Sequence, residues 1–315
     1  MKKLAIIIGS SGQDGTLAFE YLSQKGYSII GIDSKTTRTK DYTWNEPIDI
    51  TKREEVNTLI NKTKPDIVYH LAAFHHSSQD SEINNIDAFD MSYKVNVFSL
   101  VNFLESIRLH SPKTKVFYAS SCLIFGDTET TLQTETTPFN PDTIYGITKL
   151  DGLLICRLYR KNYNMFVSTG IFYNHESHLR MEKFVSRKII QGAVDIKRGK
   201  KKELEIGSLN SEVDWGYAPD FVDAIYKILN YKNPDDFIVA TRIKHTVSDL
   251  AESAFGELGL DYREYIKESS AILTRTRKPL IGDSTKLNKA TGWKPSLSFE
   301  EMVKKITQQV KKEKL

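Results

Sequence analysis

The fold is decided by the N-terminal run Leu4-Ala5-Ile6-Ile7-Ile8-Gly9-Ser10-Ser11-Gly12-Gln13-Asp14-Gly15. Its continuous apolar part is typical of a strand buried on both faces, and a helical pattern follows the glycines through Lys25. Gly26 ends that helix, and a second strand, Ser28 to Ile32, leads into Asp33. These segments form one strand–turn–helix–strand unit of about thirty residues with an acid at its end.

The glycine spacing G-x-x-G-x-x-G indicates a dinucleotide site. Gly9, Gly12 and Gly15 permit a tight turn and let the backbone approach a pyrophosphate at a helix N-terminus. Asp33 is in position to accept hydrogen bonds from the ribose hydroxyls of adenosine. A purely structural turn is the alternative, and the complete strand–helix–strand context favours the dinucleotide.

Further apolar runs predict the rest of the sheet. We expect strands at Asp66–Leu71, Lys115–Ser120 and Phe166–Phe172, a short strand at Pro47–Ile50, and a helix capped at Thr51. The predicted fold class is α/β, a Rossmann-type doubly wound parallel sheet with a smaller C-terminal substrate-binding lobe. We assign 1–172 to the nucleotide-binding domain, with 216–245 returning to it, and 173–215 and 246–315 to the lobe.

Three residues suggest proton transfer coupled to hydride transfer. Ser121 follows an apolar strand, and Tyr145 and Lys149 are four residues apart, so both lie on one helix face. Beside a cationic cofactor ring the lysine favours the phenolate, and the tyrosine then acts as a base. The serine hydroxyl donates to the same substrate oxygen. The spacing alone also fits two surface residues on an amphipathic helix.

Composition excludes several classes of protein. The 315 residues carry a formal net charge of +4, and no segment pairs dense Lys/Arg with aromatic residues, so nucleic-acid binding is not expected. No run of 18 apolar residues predicts a membrane span. Cys122 and Cys156 lack metal-ligand spacing, which favours reduced cysteines and a cytoplasmic location. The adjacent histidines His75 and His76 lack the spacing of a helical metal pair, so no metal is expected.

These motifs resemble those of an extended short-chain dehydrogenase/reductase that acts on nucleotide sugars. The closest likeness, over nearly the whole chain, is to the GDP-mannose 4,6-dehydratase family. It is carried by the following stretches: Gly12-Gln13-Asp14-Gly15, Leu71-Ala72-Ala73, Ser121 with Tyr145 and Lys149, Gly170 to Ser177, Phe184 to Ile189, Asp214-Trp215-Gly216 and Gly292-Trp293-Lys294-Pro295.

The resemblance implies contacts for matched positions. The expected cofactor-binding residues are Gly9, Gly12, Gln13, Asp14, Gly15, Asp33, Asp49, Ile50, Leu71, Ala72, Ala73, Tyr145 and Lys149. The expected substrate-binding residues are His76, Ser121, Cys122, Asn174, Val185, Arg187, Lys188 and Arg275. Asn174 is expected near the diphosphate, and Val185 and Lys188 near guanine. Arg275 is expected to bind phosphate, with Arg277 as its competitor.

The chain also departs from the family pattern. Leu123 stands where the resemblance implies a catalytic glutamate, the base that removes the C5 proton during 4,6-elimination. Val213 replaces an arginine, and the loop from Asp33 to Pro47 is shorter. The Asp33 carboxylate repels a 2′-phosphate and favours NAD, whereas Lys35 and Arg38 keep NADP open.

These departures predict an NAD-dependent oxidoreductase at C4 of a GDP-linked mannose-type hexose or heptose, and we favour a 4-dehydrogenase. A 4-keto reductase, a 4-epimerase, the 4,6-dehydratase itself and a non-catalytic nucleotide-sugar-binding protein remain open. The resemblance further implies a homo-oligomer, formed by pairing of the helices around Asp87–Leu109 and Asp142–Tyr163.

Overall fold

The computed structural model describes residues 2–34, 36–44, 46–75, 83–269, 272 and 278–313. Its strands are β1 (Leu4–Ile8), β2 (Ser28–Ile32), β3 (Thr37–Lys40), β4 (Ile67–His70), β5 (Lys115–Ser121), β6 (Leu132–Gln133), β7 (Val167–Phe172), β8 (Asn174–Glu176), β9 (Leu204–Ile206), β10 (Glu212–Tyr217), β11 (Asp236–Val239), β12 (Lys244–Thr246), β13 (Ile266–Glu268) and β14 (Ile281–Gly282). Its helices are α1 (Gln13–Gln24), α2 (Arg53–Thr63), α3 (Asn85–Ser92), α4 (Ser99–His110), α5 (Ile144–Tyr163), α6 (Val185–Lys197), α7 (Ala218–Asn230), α8 (Val247–Gly256), α9 (Thr285–Thr291) and α10 (Phe299–Glu313).

The main sheet has seven strands in the order β11-β7-β5-β4-β1-β2-β3. The pairs among its first six strands are parallel, and β3 is antiparallel to β2 at one edge. Strand order reverses at β1, since β2 lies on one side of it and β4 on the other. This arrangement confirms the predicted α/β Rossmann-type fold, and such a switch point is where ligands bind at the carboxyl edge.

Helices cover both faces of the main sheet, and successive residues of β1 point to opposite faces. Ala5 and Ile7 enter a core closed by α1 and α7, whereas Leu4, Ile6 and Ile8 enter a core closed by α2, α4 and α5. All five residues of β1 are buried. The continuous apolar run of the sequence therefore reflects burial on both faces.

A second core forms the smaller lobe. It gathers apolar residues of α6, α8 and α10 around Trp215 of β10. Ser298 caps α10, because the Ser298 hydroxyl accepts from Glu301 N and the Glu301 carboxylate accepts from Ser298 N. Leu287 of α9 and Trp293 pack in the core of the main sheet instead, although we assigned that segment to the lobe.

Two local predictions between β2 and α2 are wrong. The segment Pro47–Ile50 is not a strand, and the edge of the sheet is β3, which the sequence did not indicate. Thr51 does not cap α2. Its backbone N–H and hydroxyl both donate to the Asp49 carboxylate, at 2.9 and 2.7 Å, so Asp49 closes a turn and Lys52 stands at the helix start.

The long helix predicted from Asp87 to Leu109 is interrupted. A π-helical turn, Tyr93–Phe98, separates α3 from α4. Such turns rotate side chains out of the regular helical register and occur often at functional sites. In the part of the chain that the structure describes, no helix is both long and apolar enough to cross a membrane.

Candidate functional site

One large cavity opens at the carboxyl edge of the main sheet. Its volume is about 1790 Å³, and its wall runs from the glycine loop across the end of β5 to the start of α6. Pockets for a single small ligand typically measure roughly 300–1,000 Å³. The space therefore suits two ligands side by side.

The glycine loop forms a backbone cradle in this wall. A Cβ at Gly15 would lie 2.0 Å from the Gly9 carbonyl oxygen, so the loop closes only with glycine there. A Cβ at Gly12 would meet only that same oxygen, at 3.5 Å, which leaves its cavity side open. Gly12 begins α1 without a side-chain cap. A helix N-terminus opening onto a cavity suits a pyrophosphate, so the loop fits a nicotinamide dinucleotide.

Asp33 directly follows β2 and contacts the glycine loop. Its carboxylate accepts from Ser11 N at 3.0 Å and Ser34 N at 2.8 Å and lines the cavity. The Arg38 guanidinium, by contrast, donates to the carbonyl oxygens of Ser10 and Gly15 and stacks 4.2 Å from the Phe19 ring. Arg38 therefore supports the loop from behind.

The side chains of Gln13 and Asp14 connect the glycine loop to the segment after β7. Gln13 donates to the His175 carbonyl oxygen at 3.0 Å and accepts from the Ser177 hydroxyl at 2.8 Å. His175 Nε2 donates to the Asp14 carboxylate at 2.9 Å, and Nδ1 lies 2.7 Å from the Tyr173 carbonyl oxygen. Because both neighbours of the imidazole are acceptors, the arrangement favours the doubly protonated ring.

The charges of this pair stabilise each other. Burial opposes the charge on Asp14, but the His175 imidazolium and its hydrogen bond hold the pKa of the carboxyl below its ordinary value. Burial likewise opposes the charge on His175, but Asp14 raises the pKa of the imidazole. Asp14 and His175 therefore form an ion pair that links the glycine loop to the segment after β7.

Ser121, Tyr145 and Lys149 meet at the middle of the cavity wall. Ser121 ends β5, and its hydroxyl accepts from Leu123 N at 3.2 Å. Tyr145 lies in the first turn of α5 and Lys149 one turn later, with Nζ 5.6 Å from the centre of the Tyr145 ring. Lys149 is only 1% exposed and donates to the Ala119 carbonyl oxygen at 2.8 Å.

Burial is the main cause of the pKa shifts of Tyr145 and Lys149 in the protein without a ligand. It raises the pKa of Tyr145 well above the ordinary range, and the positive charge of Arg180 acts in the opposite direction. Burial lowers the pKa of Lys149 to about 7. Tyr145 is therefore a phenol at neutral pH until further positive charge lies beside it.

Asn96 holds this wall together from within the π-helical turn. It is fully buried, and its amide accepts from Phe74 N at 2.7 Å and donates to the Phe74 carbonyl oxygen at 3.1 Å. It also donates to the Thr148 hydroxyl at 3.0 Å, beside Lys149. Sequence reasoning missed Asn96 because a buried asparagine within a helical pattern carries no local signal.

A column of rings and one cation continues the wall beyond Tyr145. The His75 ring meets the Tyr145 ring edge-on at 4.7 Å between centres, and the Phe184 ring lies 5.8 Å from His75. The Arg180 guanidinium stacks 3.7 Å from the Phe184 ring and pairs with Glu176. Tyr145 and the three members of the column, His75, Phe184 and Arg180, line the cavity. We had missed Arg180, although its four-residue spacing from Glu176 was a usable signal.

Most predicted site residues share this cavity. The following line it: Gly9, Gly12, Gln13, Asp14, Gly15, Asp33, Asp49, Ile50, Leu71, Ala72, Ala73, Ser121, Cys122, Tyr145, Lys149, Asn174, Val185 and Lys188. Arg187 is different, because its buried guanidinium contacts the His178 carbonyl oxygen, Gln191 and Glu313 instead of the cavity. His76, Arg275 and Arg277 lie outside the described residues.

Comparison with known proteins identifies the family. The profile described as GDP-mannose 4,6 dehydratase matches residues 6–306. The chain belongs to the GDP-mannose 4,6-dehydratase family. The GDP-mannose 4,6 dehydratase 2 of Arabidopsis thaliana is 34% identical, over 96% of this chain and 85% of the relative. A GDP-mannose 4,6-dehydratase of Vibrio cholerae is 31% identical, over 96% and 92%.

Solved structures agree on the fold. RMD from Pseudomonas aeruginosa complexed with NADPH superimposes with a TM-score of 0.84 at 18% identity, over 99% of this chain and 98% of the other. A dTDP-glucose 4,6-dehydratase from Bacillus anthracis in complex with NAD gives 0.83 at 19%, over 99% and 97%. This member of the GDP-mannose 4,6-dehydratase family is thus an oxidoreductase-type, nicotinamide-dependent enzyme of nucleotide-sugar metabolism.

The two positions that we interpreted as departures from the family pattern, Leu123 and Val213, line the cavity. Leu123 lies beside Ser121, and Val213 lies in β10 on the lobe side. The neighbouring Asp214 is fully buried and accepts from Thr241 N at 3.0 Å and Gly282 N at 3.2 Å. In the Asp-Trp-Gly motif, Asp214 therefore holds neighbouring backbone segments in place. The side chains at positions 123 and 213, by contrast, line the cavity.

Proposed function

We propose that this enzyme oxidises C4 of a GDP-linked mannose-type sugar, hexose or heptose, with NAD as acceptor. The observation that carries the proposal is the gathering of Ser121, Tyr145 and Lys149 around one cavity in which Leu123 occupies the neighbouring position. Redox chemistry at C4 needs the first three residues, whereas elimination needs a base that leucine does not supply.

The chain's own residues divide the work of the first step. Ser121 donates a hydrogen bond to the C4 oxygen and orients the C4–H bond. Tyr145 takes the C4 hydroxyl proton, and buried Lys149 favours the phenolate when the lysine is protonated. The oxidised nicotinamide supplies a positive ring and accepts the hydride when bound. Arg180 adds positive charge from the substrate side, since its field already opposes the burial effect on the Tyr145 pKa.

The charge distribution supports NAD over NADP. Asp33 lines the cavity together with Glu46, Asp49, Glu54 and Glu55, and Arg38 is engaged behind the glycine loop. A 2′-phosphate placed among these carboxylates is repelled. Lys35, which kept NADP open, lies outside the described residues.

We propose that the nucleotide end of the substrate binds on the lobe side of the cavity. Lys188, Val185 and Asn174 line the cavity on the lobe side, where α6 begins. We assign Asn174 to the diphosphate, and Lys188 and Val185 to guanine. Arg275 stays a prediction as a phosphate ligand, as does a cytoplasmic location.

The test is to incubate the purified enzyme with GDP-mannose or a GDP-linked heptose and NAD. We expect NADH absorbance and a C4 ketone in the NMR spectrum of the product. A product that lacks the 6-hydroxyl contradicts the proposal and restores the 4,6-dehydratase, which the names of the curated relatives favour. An inverted C4 hydroxyl indicates a 4-epimerase, and reduction of an added 4-ketone without oxidation of the alcohol indicates a reductase.

We also propose that the enzyme is a homo-oligomer. Large apolar side chains are exposed along α3, the π-helical turn and α5: Ile86, Phe89, Met91, Phe98, Leu154 and Leu158. These elements pack together, with the Tyr93 hydroxyl donating to Asp151 at 2.8 Å. Several large apolar side chains exposed on neighbouring helices are typical of a protein interface. Leu158→Asp should lower the mass measured by light scattering, whereas Ile243→Asp, at an exposed site elsewhere, should not.

A further inference from the structure

Part of the cavity wall is formed by the loop between β8 and α6, residues 177–184. Three consecutive residues of this loop, Leu179, Arg180 and Met181, line the cavity. Leu179 and Met181 are 37% and 59% exposed, so the packing of these two side chains holds this part of the wall only weakly. The shape of the wall here therefore depends on other contacts of the loop.

Two contacts from opposite sides anchor the loop at adjacent residues. On the cofactor side, the Ser177 hydroxyl donates to the side-chain oxygen of Gln13 at 2.8 Å. On the lobe side, Nη1 of Arg187, in the first turn of α6, donates to the His178 carbonyl oxygen. The segment that lines the cavity therefore starts at a point that is fixed from both sides.

The Arg187 guanidinium is buried, with only 6% of the residue exposed, and a buried cation needs a counter-charge. Glu313, at the end of α10, supplies it: Nη2 of Arg187 donates to the Glu313 carboxylate at 3.2 Å and to Gln191 Oε1 at 3.4 Å. The other carboxylate oxygen of Glu313 lies 3.8 Å from His178 Nε2. Glu313 therefore contacts both the guanidinium and the residue that the guanidinium holds.

A second arginine, Arg198 at the end of α6, also joins α6 to α10. It donates to the Lys311 carbonyl oxygen. None of the hydrogen bonds that Arg198 makes to described residues reaches the 177–184 loop. Of these two arginines, Arg187 is therefore the one that connects α10 to the cavity wall.

We propose that Arg187 is a positioning residue for substrate binding, which together with Glu313 holds the 177–184 loop in the shape that encloses the nucleotide sugar. This inference rests on the proposed function, which places a GDP-linked sugar on the lobe side of the cavity. The planar guanidinium suits this role because its rigid fork of donors contacts two acceptors at once. The loop cannot move away from the cavity without breaking a charge-assisted hydrogen bond. Helix α10 thereby contributes to the site, although none of its residues lines the cavity.

The experiment measures binding, turnover and loop order separately. Calorimetry gives the Kd of GDP-mannose in the presence of NADH, a pair that cannot undergo the C4 oxidation, and the Kd of NAD alone. Steady-state kinetics with NAD and GDP-mannose gives KM and kcat. Hydrogen–deuterium exchange followed by mass spectrometry gives the protection of residues 177–184 in the enzyme without ligands.

The variants separate the loop contact from the joining of the two helices. Arg187→Met keeps an unbranched stem but removes the guanidinium. We expect it to raise the Kd and KM of GDP-mannose about 10-fold, because a hydrogen bond from a charged group is lost, and to speed exchange in residues 177–184. The kcat and the Kd of NAD should stay at their wild-type values, since only substrate binding is weakened. Glu313→Gln, whose side chain is 35% exposed, should have a smaller effect in the same direction, and Arg198→Met should have none.

The outcomes distinguish this inference from the proposed function. Wild-type affinity for GDP-mannose in Arg187→Met overturns the inference, and so does an equal loss of affinity in Arg198→Met. If Arg187→Met does not fold, Glu313→Gln replaces it, and wild-type affinity and exchange in that variant overturn the inference. A wild-type enzyme that binds GDP-mannose but forms no NADH overturns the C4 oxidation alone. Absence of GDP-mannose binding by the wild type overturns the proposed substrate, and faster exchange of residues 177–184 in Arg187→Met then still supports the loop contact.

Discussion

The two sides of the cavity are built differently. The cofactor side consists mainly of backbone: a glycine loop, the end of a buried strand and an open helix N-terminus. The substrate side consists of side chains from distant segments, including the column of His75, Phe184 and Arg180 against Tyr145. The backbone geometry of the first side tolerates only glycine or apolar residues at many positions. On the second side, the side chains themselves can be substituted without changing the backbone. We therefore propose that the first side sets the cofactor class and that the second side sets the reaction of the sugar.

The largest effect should come from Tyr145→Phe, at the border of the two sides. Removing the hydroxyl that exchanges the C4 proton should slow hydride transfer by about 10²–10⁴-fold. Cofactor binding, which depends on the backbone side, should persist in calorimetry. Tyr163→Phe, at the far end of the same helix α5, is the matched control and should retain activity. Full activity of Tyr145→Phe would refute the assigned base.

The joint between the two sides is tested by Asp14→Asn. Replacing the partner of the His175 imidazolium should lower the free energy of unfolding by about 1–3 kcal/mol. As a control, Asp90→Asn removes an exposed ion pair between Asp90 of α3 and Lys94. It should change the free energy of unfolding by less than about 1 kcal/mol. Urea unfolding measures both variants. Equal stabilities of wild type and Asp14→Asn would show that the two sides are joined by other contacts.

The same pair predicts how that difference depends on pH. The lowered pKa of Asp14 contributes stability above its unfolded value, near pH ~3.9, and this contribution is lost as pH falls through the folded pKa. The raised pKa of His175 contributes stability fully below its unfolded value, near pH ~6.5, and this is lost as pH rises through the folded pKa. The loss in Asp14→Asn should therefore be largest between these values and smaller at alkaline pH. A difference that grows with alkaline pH would contradict the ionised pair.

Cofactor choice is tested by Asp33→Asn on the backbone side. Removing one negative charge from the cavity wall should raise the preference for NADP relative to NAD by about 10-fold, measured as the ratio of the two kcat/KM values. Asp41→Asn, which removes a surface carboxylate paired with Lys2, is the control. An unchanged ratio would assign cofactor choice to other residues.

The smallest effect is expected for Leu123→Glu on the side-chain wall. Elimination needs a C4 ketone, a base at C5 and a protonated leaving hydroxyl at C6. The new carboxylate supplies the last two, so we expect a small amount of 4-keto-6-deoxy product from GDP-mannose, detected by mass spectrometry. Leu123→Gln controls for the change in shape. Absence of that product despite normal C4 oxidation would show that the leucine is not the sole block.

Local patterns predicted the backbone side well. The strand before Gly9, the helix α1 and the pair Tyr145 and Lys149 on one helix were predictable because each depends on residues a few positions apart, although α1 begins at Gln13, before the last glycine of the motif. The predicted strand at Pro47–Ile50 failed because a side-chain turn at Asp49 competes with regular structure there. Arg187 was expected beside guanine, but its position on α6 turns it inward toward Glu313.

The sequence by itself predicted the nucleotide-binding unit and the placement of Tyr145 and Lys149 on one helix, because these follow from short-range periodicity and residue type, and motifs spread along the chain predicted the family. Only the tertiary structure joined Asp14 to His175, which are 161 positions apart, and anchored Phe74 through Asn96. It alone placed His75 against Tyr145. The physical reason is that the packing of the main sheet against the lobe decides which distant side chains meet, and no local pattern encodes that packing.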